Sequence, residues 1–363
     1  MPPSGDRGGS PGNRSKSVQS LKEEIRAEAK RLGFCDVGFA PASGLPRWGE
    51  NLTAFLAEGR HGAMDWLADT ADRRVRPTEV WPEARSVIVL ATRHAAPGPL
   101  PPPERGAISA YAQGRDYHDV IKKRLKALGR WLVTRAGGSV RPYCDTAPVM
   151  EKPLAEQAGL GWQGRHTLLV SPRAGGWLLL GALMSDLALP PDPPERNRCG
   201  TCRACVAACP TGALEESGRI DPRRCLSYYT IEGPDLLPEA LRPALGNRIY
   251  GCDACQAACP WTRRRAYSPD PALTPRPDSL APALAELAML DEAGFRARFA
   301  GTPVKRVGRD RFVATVLIAI ANSGRRELHP LVERLRDDPA EPVRTMAAWA
   351  CLILGREGAG ELG

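Results

Sequence analysis

A chain of 363 residues that is 43% hydrophobic and 25% charged has globular composition and enough material for roughly two or three cored domains, which excludes a disulfide-stapled miniprotein. Its 50 Lys and Arg against 41 Asp and Glu leave a net charge of +9, which points toward a polyanionic partner. The longest apolar runs, Trp177 to Met184 and Phe312 to Ala321, fall far below the ~20 residues of a membrane span, so the reading is a soluble, cytoplasmic protein without a membrane partner.

Residues 1–17, MPPSGDRGGSPGNRSKS, contain no apolar run and read as a disordered tail, with no secretory core. Val18, Leu21, Ile25, Ala29 and Leu32 then recur at three and four residues, and Gly33 stands where such an amphipathic helix would end. SVIVLAT (Ser86 to Thr92) reads as a buried strand and Asp116 to Gly137 as a long helix. HTLLVSP and GGWLLLGALM read as two strands around a Gly-Gly turn. This mixture makes residues 18–188 an α/β or α+β domain, and the four prolines between Leu189 and Arg198 make a stiff linker.

Eight of the eleven cysteines fall between Cys199 and Cys259. Zinc prefers two CxxC pairs, whereas Cys199, Cys202, Cys205 and Cys209-Pro210 match the C-x2-C-x2-C-x3-C-P phrase of 4Fe-4S ferredoxins. In that phrase three cysteines hold one cubane and the fourth crosses to the other. Cys252, Cys255 and Cys259-Pro260 repeat its last three cysteines, with Ile249 where the first should stand. Cys225 fills the vacancy. The crossing rule then groups Cys199, Cys202, Cys205 and Cys259, and separately Cys209, Cys225, Cys252 and Cys255. Residues 189–267 are thus a ferredoxin-like domain with two 4Fe-4S clusters, a one-electron wire fed by an external low-potential donor. Cys35 and Cys351 lie outside it and read as small buried hydrophobes.

After Ser268 to Asp278 strand signals cease. Arg309 to Gly324, Glu327 to Asp338 and Glu341 to Gly355 are three helical segments, the last two like one pair of an α-solenoid, so residues 268–363 read as a HEAT-like helical repeat. Arg296 to Arg311 holds six basic residues and one acid, either a solvated helix end or a phosphate-binding face. No G-x-G-x-x-G follows a strand and no Walker A phrase occurs, so a nucleotide cofactor has no support. DYHDVI, Asp116 to Ile121, fails the D-x-H-x-x-G cobalamin pattern at Ile121, which leaves His118 as a helix N-terminal hydrogen bonder. Asp145 precedes Thr-Ala-Pro and reads on its own as a helix N-cap.

The passage CDTAPVMEKPLAEQAGLGWQGRHTLLVSP (Cys144 to Pro172), the eight-cysteine pattern and CLSYYTIEG (Cys225 to Gly233) together resemble the epoxyqueuosine reductases. YAQGRDYH, GTPVKRVGRDRF and IAIANSG extend the likeness over nearly the whole chain. The resemblance implies a cobalamin-dependent, monomeric tRNA-modifying oxidoreductase of queuosine biosynthesis. Cobalt as Co(I) would attack the epoxide, fed by the two clusters, and the tRNA anticodon stem-loop would be the partner. It further implies Asp145 as proton donor, kept neutral by burial against the corrin. Gly161, Trp162, Gly164, Arg165, His166, Thr167 and Leu169 would contact the cofactor. Ser227, Gly251 and Asp253 would face it from beside the second cluster, while Tyr117 and His118 would order the pocket. Lys305, Arg306, Arg309 and Arg311 would meet tRNA phosphates, with Arg263, Arg264 and Arg265 as a second basic group. Ala182 departs from the family's acidic residue. The reductive dehalogenases also join cobalamin to two cubanes and are the rival reading, though they are exported and lack a helical cap. A plain ferredoxin module fused to a binding domain is the third.

Overall fold

The computed structural model describes residues 11–233, 236–263 and 268–355. Its first helix, α1 (Pro11–Arg31), begins inside the segment read from sequence as a tail. The apolar repeat from Val18 requires a helix, and nothing upstream stops it growing backwards as far as Pro11. Proline suits a first turn because its missing N–H would have no intrahelical partner there. Residues 1–10 lie outside the described residues.

Strands β1 (Asp36–Pro41), β2 (Ser86–Arg93), β3 (Val140–Tyr143) and β4 (Leu178–Ser185) form one sheet in the order β1-β2-β4-β3. Every neighbouring pair is antiparallel, so the region is α+β, and the α/β alternative is set aside. Alternation of strand and helix along a sequence does not fix strand direction when the connections are long. Helices α2 (Tyr117–Ala136) and α3 (Glu151–Gln157) cover the two faces. Strand β2 is buried on both sides, and its parity sorts the core. Ile88 and Leu90 pack with Ile121, Leu125 and Leu128 of α2, while Val87, Val89 and Ala91 pack with Leu154 and Ala155 of α3.

The second expected strand is shorter than its sequence suggested. Only Leu169–Val170 is extended, and it pairs with Trp162–Gln163 instead of with β4. The reason is local: Ser171 Oγ accepts the N–H groups of Arg173 and Ala174 at 3.3 and 3.1 Å, which turns the chain away. The proline-rich linker is irregular but pinned. Asp192 accepts Lys22 Nζ and Arg26 Nη2, both at 2.7 Å, and the N–H of Phe39 at 3.1 Å.

Two short helices, Ala204–Ala207 and Ala254–Ala257, carry the two cysteine phrases and pack together. A parallel bridge between Ala107–Ile108 and Arg248–Tyr250 ties this region to the segment leading into α2. The C-terminal helices are α4 (Arg309–Ser323), α5 (His329–Arg334) and α6 (Glu341–Gly355). Helix α4 is almost entirely buried, packing on α6 and on Leu245, Ile249 and Tyr250 of the cysteine region in one continuous core. Among the described residues no helix is long and apolar enough to cross a membrane.

Candidate active site

Asp145 follows β3 in a three-residue turn closed by the Thr146 N–H on the Cys144 carbonyl, at 2.7 Å. The turn holds Asp145 at φ 60°, a region that costs a non-glycine residue about 1–3 kcal/mol and recurs at functional sites. Helix α3 starts only at Glu151, with Met150 at its N-cap, so Asp145 caps no helix. Its backbone N–H instead donates to Glu151 Oε1 at 2.8 Å.

The Asp145 carboxylate receives two donors from the first turn of α2. Tyr117 Oη donates to Oδ2 at 2.8 Å and His118 Nε2 to the same oxygen at 3.0 Å. His118 in turn donates Nδ1–H to Oδ1 of Asp116 at 2.6 Å. Asp116 is the N-cap of α2, and its Oδ2 takes Arg306 Nη2 at 2.7 Å. Arg306, Asp116, His118 and Asp145 therefore form one line from the C-terminal region to the cleft. Burial pushes the His118 imidazole down, but the two carboxylates outweigh it and hold its pKa above the usual range. The His118 hydrogen bond, assisted by Tyr117, holds Asp145 below the usual carboxylate range. In this arrangement the proton is favoured on His118, and Asp145 accepts. Burial raises Glu151, behind the turn, to about 7.

Asp145 opens onto a cleft of about 490 Å³ whose walls are Leu168, Leu169 and Leu178 to Leu180, with Trp66, Lys152 and Asp253 at other points. Arg74 lies over the Trp66 ring at 4.6 Å. Asp253, between two cluster cysteines, is fixed by Ser109 Oγ and by the Ala110 N–H at 2.8 Å. It also lines an adjoining cavity of about 440 Å³ with Gly251 and Cys252. The sequence reading missed Trp66, Arg74, Glu151 and the buried His94, which lines the cleft and is held down to about 4 by burial. Only Glu151 lies within a passage that carried the resemblance. Asp116 was legible as a helix cap two residues before His118.

The expected cofactor loop divides. Leu169 faces the cleft, but Arg165 and His166 line a separate cavity of about 260 Å³ with Cys199, Cys202, Cys205 and Cys259. Trp162 is buried beside Cys259 and meets Trp261 edge-on at 5.0 Å. Gly161 lies so close to Val170 that a Cβ would come within 2.1 Å of its carbonyl oxygen, and Gly164 and Thr167 border the outer face of the loop. Folding over the thiols thus removes most of this loop from the cleft. Ser227 is turned to the Cys225 thiol, whose pKa is raised chiefly by burial and also by Cys209. Burial likewise raises Cys255, with Cys252, Cys225 and Cys209 adding to it. Both cysteine groupings are therefore also spatial groupings. Ala182 is fully buried on β4, opposite Val89 and Tyr143.

The basic stretch is less free than its sequence implied. Arg309 is buried and makes two bonds to Asp338, at 2.7 and 2.5 Å, and Arg311 donates to the Tyr229 carbonyl at 2.8 Å. Both help hold α4 in place, and the buried Arg309 is not presented to solvent, whereas Arg311 is half-buried. Arg306 is engaged by Asp116, while Lys305 and Arg263 are exposed. Arg264 and Arg265 lie outside the described residues.

A family model described as Epoxyqueuosine reductase QueG, DUF1730, matches residues 74–146, and a 4Fe-4S double cluster binding domain matches residues 198–262. The epoxyqueuosine reductase of Aliivibrio fischeri is 40% identical over 329 residues, spanning 88% of this chain and 87% of the relative. That of Escherichia coli is 40% identical over 312 residues, spanning 84% and 82%. A crystal structure of epoxyqueuosine reductase with an epoxyqueuosine-modified tRNA-Tyr stem loop superposes with a TM-score of 0.87 at 28% identity, covering 93% of this chain and 91% of that one.

Proposed function

The chain belongs to the epoxyqueuosine reductase family, and on that premise we propose that it reduces epoxyqueuosine to queuosine at the wobble position of tRNA, with Asp145 passing on the proton. The observation that carries this reading is the convergence of Tyr117 and His118 on one carboxylate oxygen at the mouth of a largely apolar cleft. The cofactors are cobalamin and two 4Fe-4S clusters. The leucine walls of the cleft fit a flat macrocycle, and Asp145, Lys152 and Asp253 fit its polar rim. Cys199, Cys202, Cys205 and Cys259 would hold one cluster and Cys209, Cys225, Cys252 and Cys255 the other. When bound, cobalamin supplies a reduced cobalt able to attack the epoxide carbon, and the clusters supply electrons one at a time.

The chain's own part is proton handling and placement. His118 holds a proton at Nε2, hydrogen-bonded to Asp145 Oδ2, and Asp116 fixes the ring from behind. As the epoxide oxygen develops charge, the His118 Nε2 proton passes through Asp145 Oδ2 to it, which leaves His118 neutral and Asp145 ionised. Asp253 joins the second cysteine group to the cleft wall. Lys305 and Arg263 would meet tRNA phosphates, and the modified base would leave the anticodon stack to enter the cleft. In this reading residues 18–188 hold cobalamin, 189–267 the clusters, and 268–363 a HEAT-like tRNA-binding repeat.

The test is anaerobic. Reconstituted protein with cobalamin and a chemical one-electron reductant is given a stem-loop carrying epoxyqueuosine, and its nucleosides are separated and weighed. Queuosine, one oxygen lighter, should appear. Fully loaded protein that leaves the epoxide intact would sink the reading.

A further inference from the structure

The two ring nitrogens of His166 have different surroundings. The residue is 3% exposed, and Nδ1 accepts the backbone N–H of Leu168 at 3.1 Å. An amide N–H can only donate, so Nδ1 carries the lone pair and the proton of the neutral ring sits on Nε2. Nε2 is buried and has no hydrogen-bond partner among the described residues. Buried donors in native structures almost always find an acceptor, so an orphan asks what it faces. The ring stands in the wall of the cavity of about 260 Å³ formed with Cys199, Cys202, Cys205 and Cys259. Gly164 leaves it room, since a Cβ there would lie 3.2 Å from Nε2. The neighbouring Arg165 is committed elsewhere, to the carbonyls of Gly200 and Glu216.

We propose that His166 donates its Nε2–H to a sulfur of the iron-sulfur cluster held by these four cysteines, and so raises the reduction potential of that cluster and not of the other. The inference rests on the assignment of those cysteines to one cluster. Reduction adds negative charge to a cluster, and a fixed donor on its sulfur stabilises the reduced state more than the oxidised one. The other cysteine group borders the catalytic cleft through Asp253, so His166 acts at the cluster farther along the wire.

The experiment is a redox titration of the reconstituted holoprotein followed by electron paramagnetic resonance. His166→Phe keeps an aromatic ring and removes the N–H. One midpoint potential should move to more negative values while the second stays and iron remains at the wild-type level. His166→Gln, which retains an N–H, should recover part of the shift. Unmoved potentials in an iron-replete His166→Phe protein would overturn the proposal. If that variant loses iron, wild-type protein labelled with isotopic histidine decides instead. Its reduced spectrum should carry a weak histidine nitrogen coupling and an exchangeable proton coupling on one cluster, and absence of both overturns the proposal. Wild-type iron well below about eight per chain would instead sink the two-cluster reading beneath it.

Discussion

The guanidinium of Arg306 reaches across 190 positions of sequence to Asp116 Oδ2, at 2.7 Å, and thereby sets the first turn of α2 from the C-terminal region. The Asp116 N–H donates to the Gly301 carbonyl at 2.7 Å, so the two segments are joined twice. A basic residue that looks like a phosphate contact is thus placed to orient the proton-handling group. Arg306→Ala should lower turnover by roughly tenfold to a hundredfold, the scale of a misplaced catalytic group, with little change in stem-loop affinity. Arg306→Lys should recover part of it. A loss confined to affinity, with turnover intact at saturation, would return Arg306 to the tRNA surface.

Asp145→Asn preserves the shape of the turn and removes the carboxylate. Turnover should fall by ~10²–10⁴, the usual worth of a general acid, while iron content and cobalamin binding stay at wild-type levels. Activity within a few-fold of wild type would remove Asp145 from the chemistry.

Glu151 gives a pH signature in stability. Its folded pKa is raised to about 7 by burial, against about 4.3 in an unfolded chain. The folded state therefore binds the proton more tightly, so this contribution is complete below about pH 4 and is lost as pH rises to about 7. Glu151→Gln, which can still accept the Asp145 N–H, should gain stability relative to wild type between pH 5 and 8. Parallel stability curves for the two proteins would show that Glu151 does not titrate there.

Cys225→Ala should bring iron from about eight per chain toward half, with one cluster's spectrum lost and the other retained. Full iron in that variant would mean another ligand completes the second cluster.

Arg309 and Lys305 should separate stability from binding. Arg309→Ala leaves Asp338, whose side chain is 4% exposed, without its charged partner and should cost about 3–5 kcal/mol of stability. The double variant Lys305→Ala, Arg263→Ala should leave stability unchanged and weaken the salt dependence of stem-loop binding by about 1.4 in log-log slope, from two single-strand phosphate contacts. Unaltered slope would place the tRNA on another surface.

Short-range chemistry was written in the chain itself. Cysteine spacing marked the paired clusters because a cubane takes several of its ligands from one tight turn, and Cys225 was the remaining cysteine of that region that could complete eight ligands. Helices α2, α4 and α6 followed from apolar periodicity and from glycines at or just beyond their ends. Groups far apart in sequence were decided only by the fold. Whether Asp145 caps a helix or occupies a strained turn depends on Cys144, Glu151 and the first turn of α2 meeting at one point. The protonation of Asp145 depends on His118, and the orientation of His118 on Asp116 and Arg306, none of which a spacing rule connects. The same holds for GLGWQGRHT: the motif is visible in sequence, but the packing of Trp162 and His166 against the thiols put most of it beside a cluster cavity. Local propensity depends on neighbours a few residues away, whereas proton affinity and contact depend on charges and atoms a few ångströms away, and only tertiary structure converts one distance into the other.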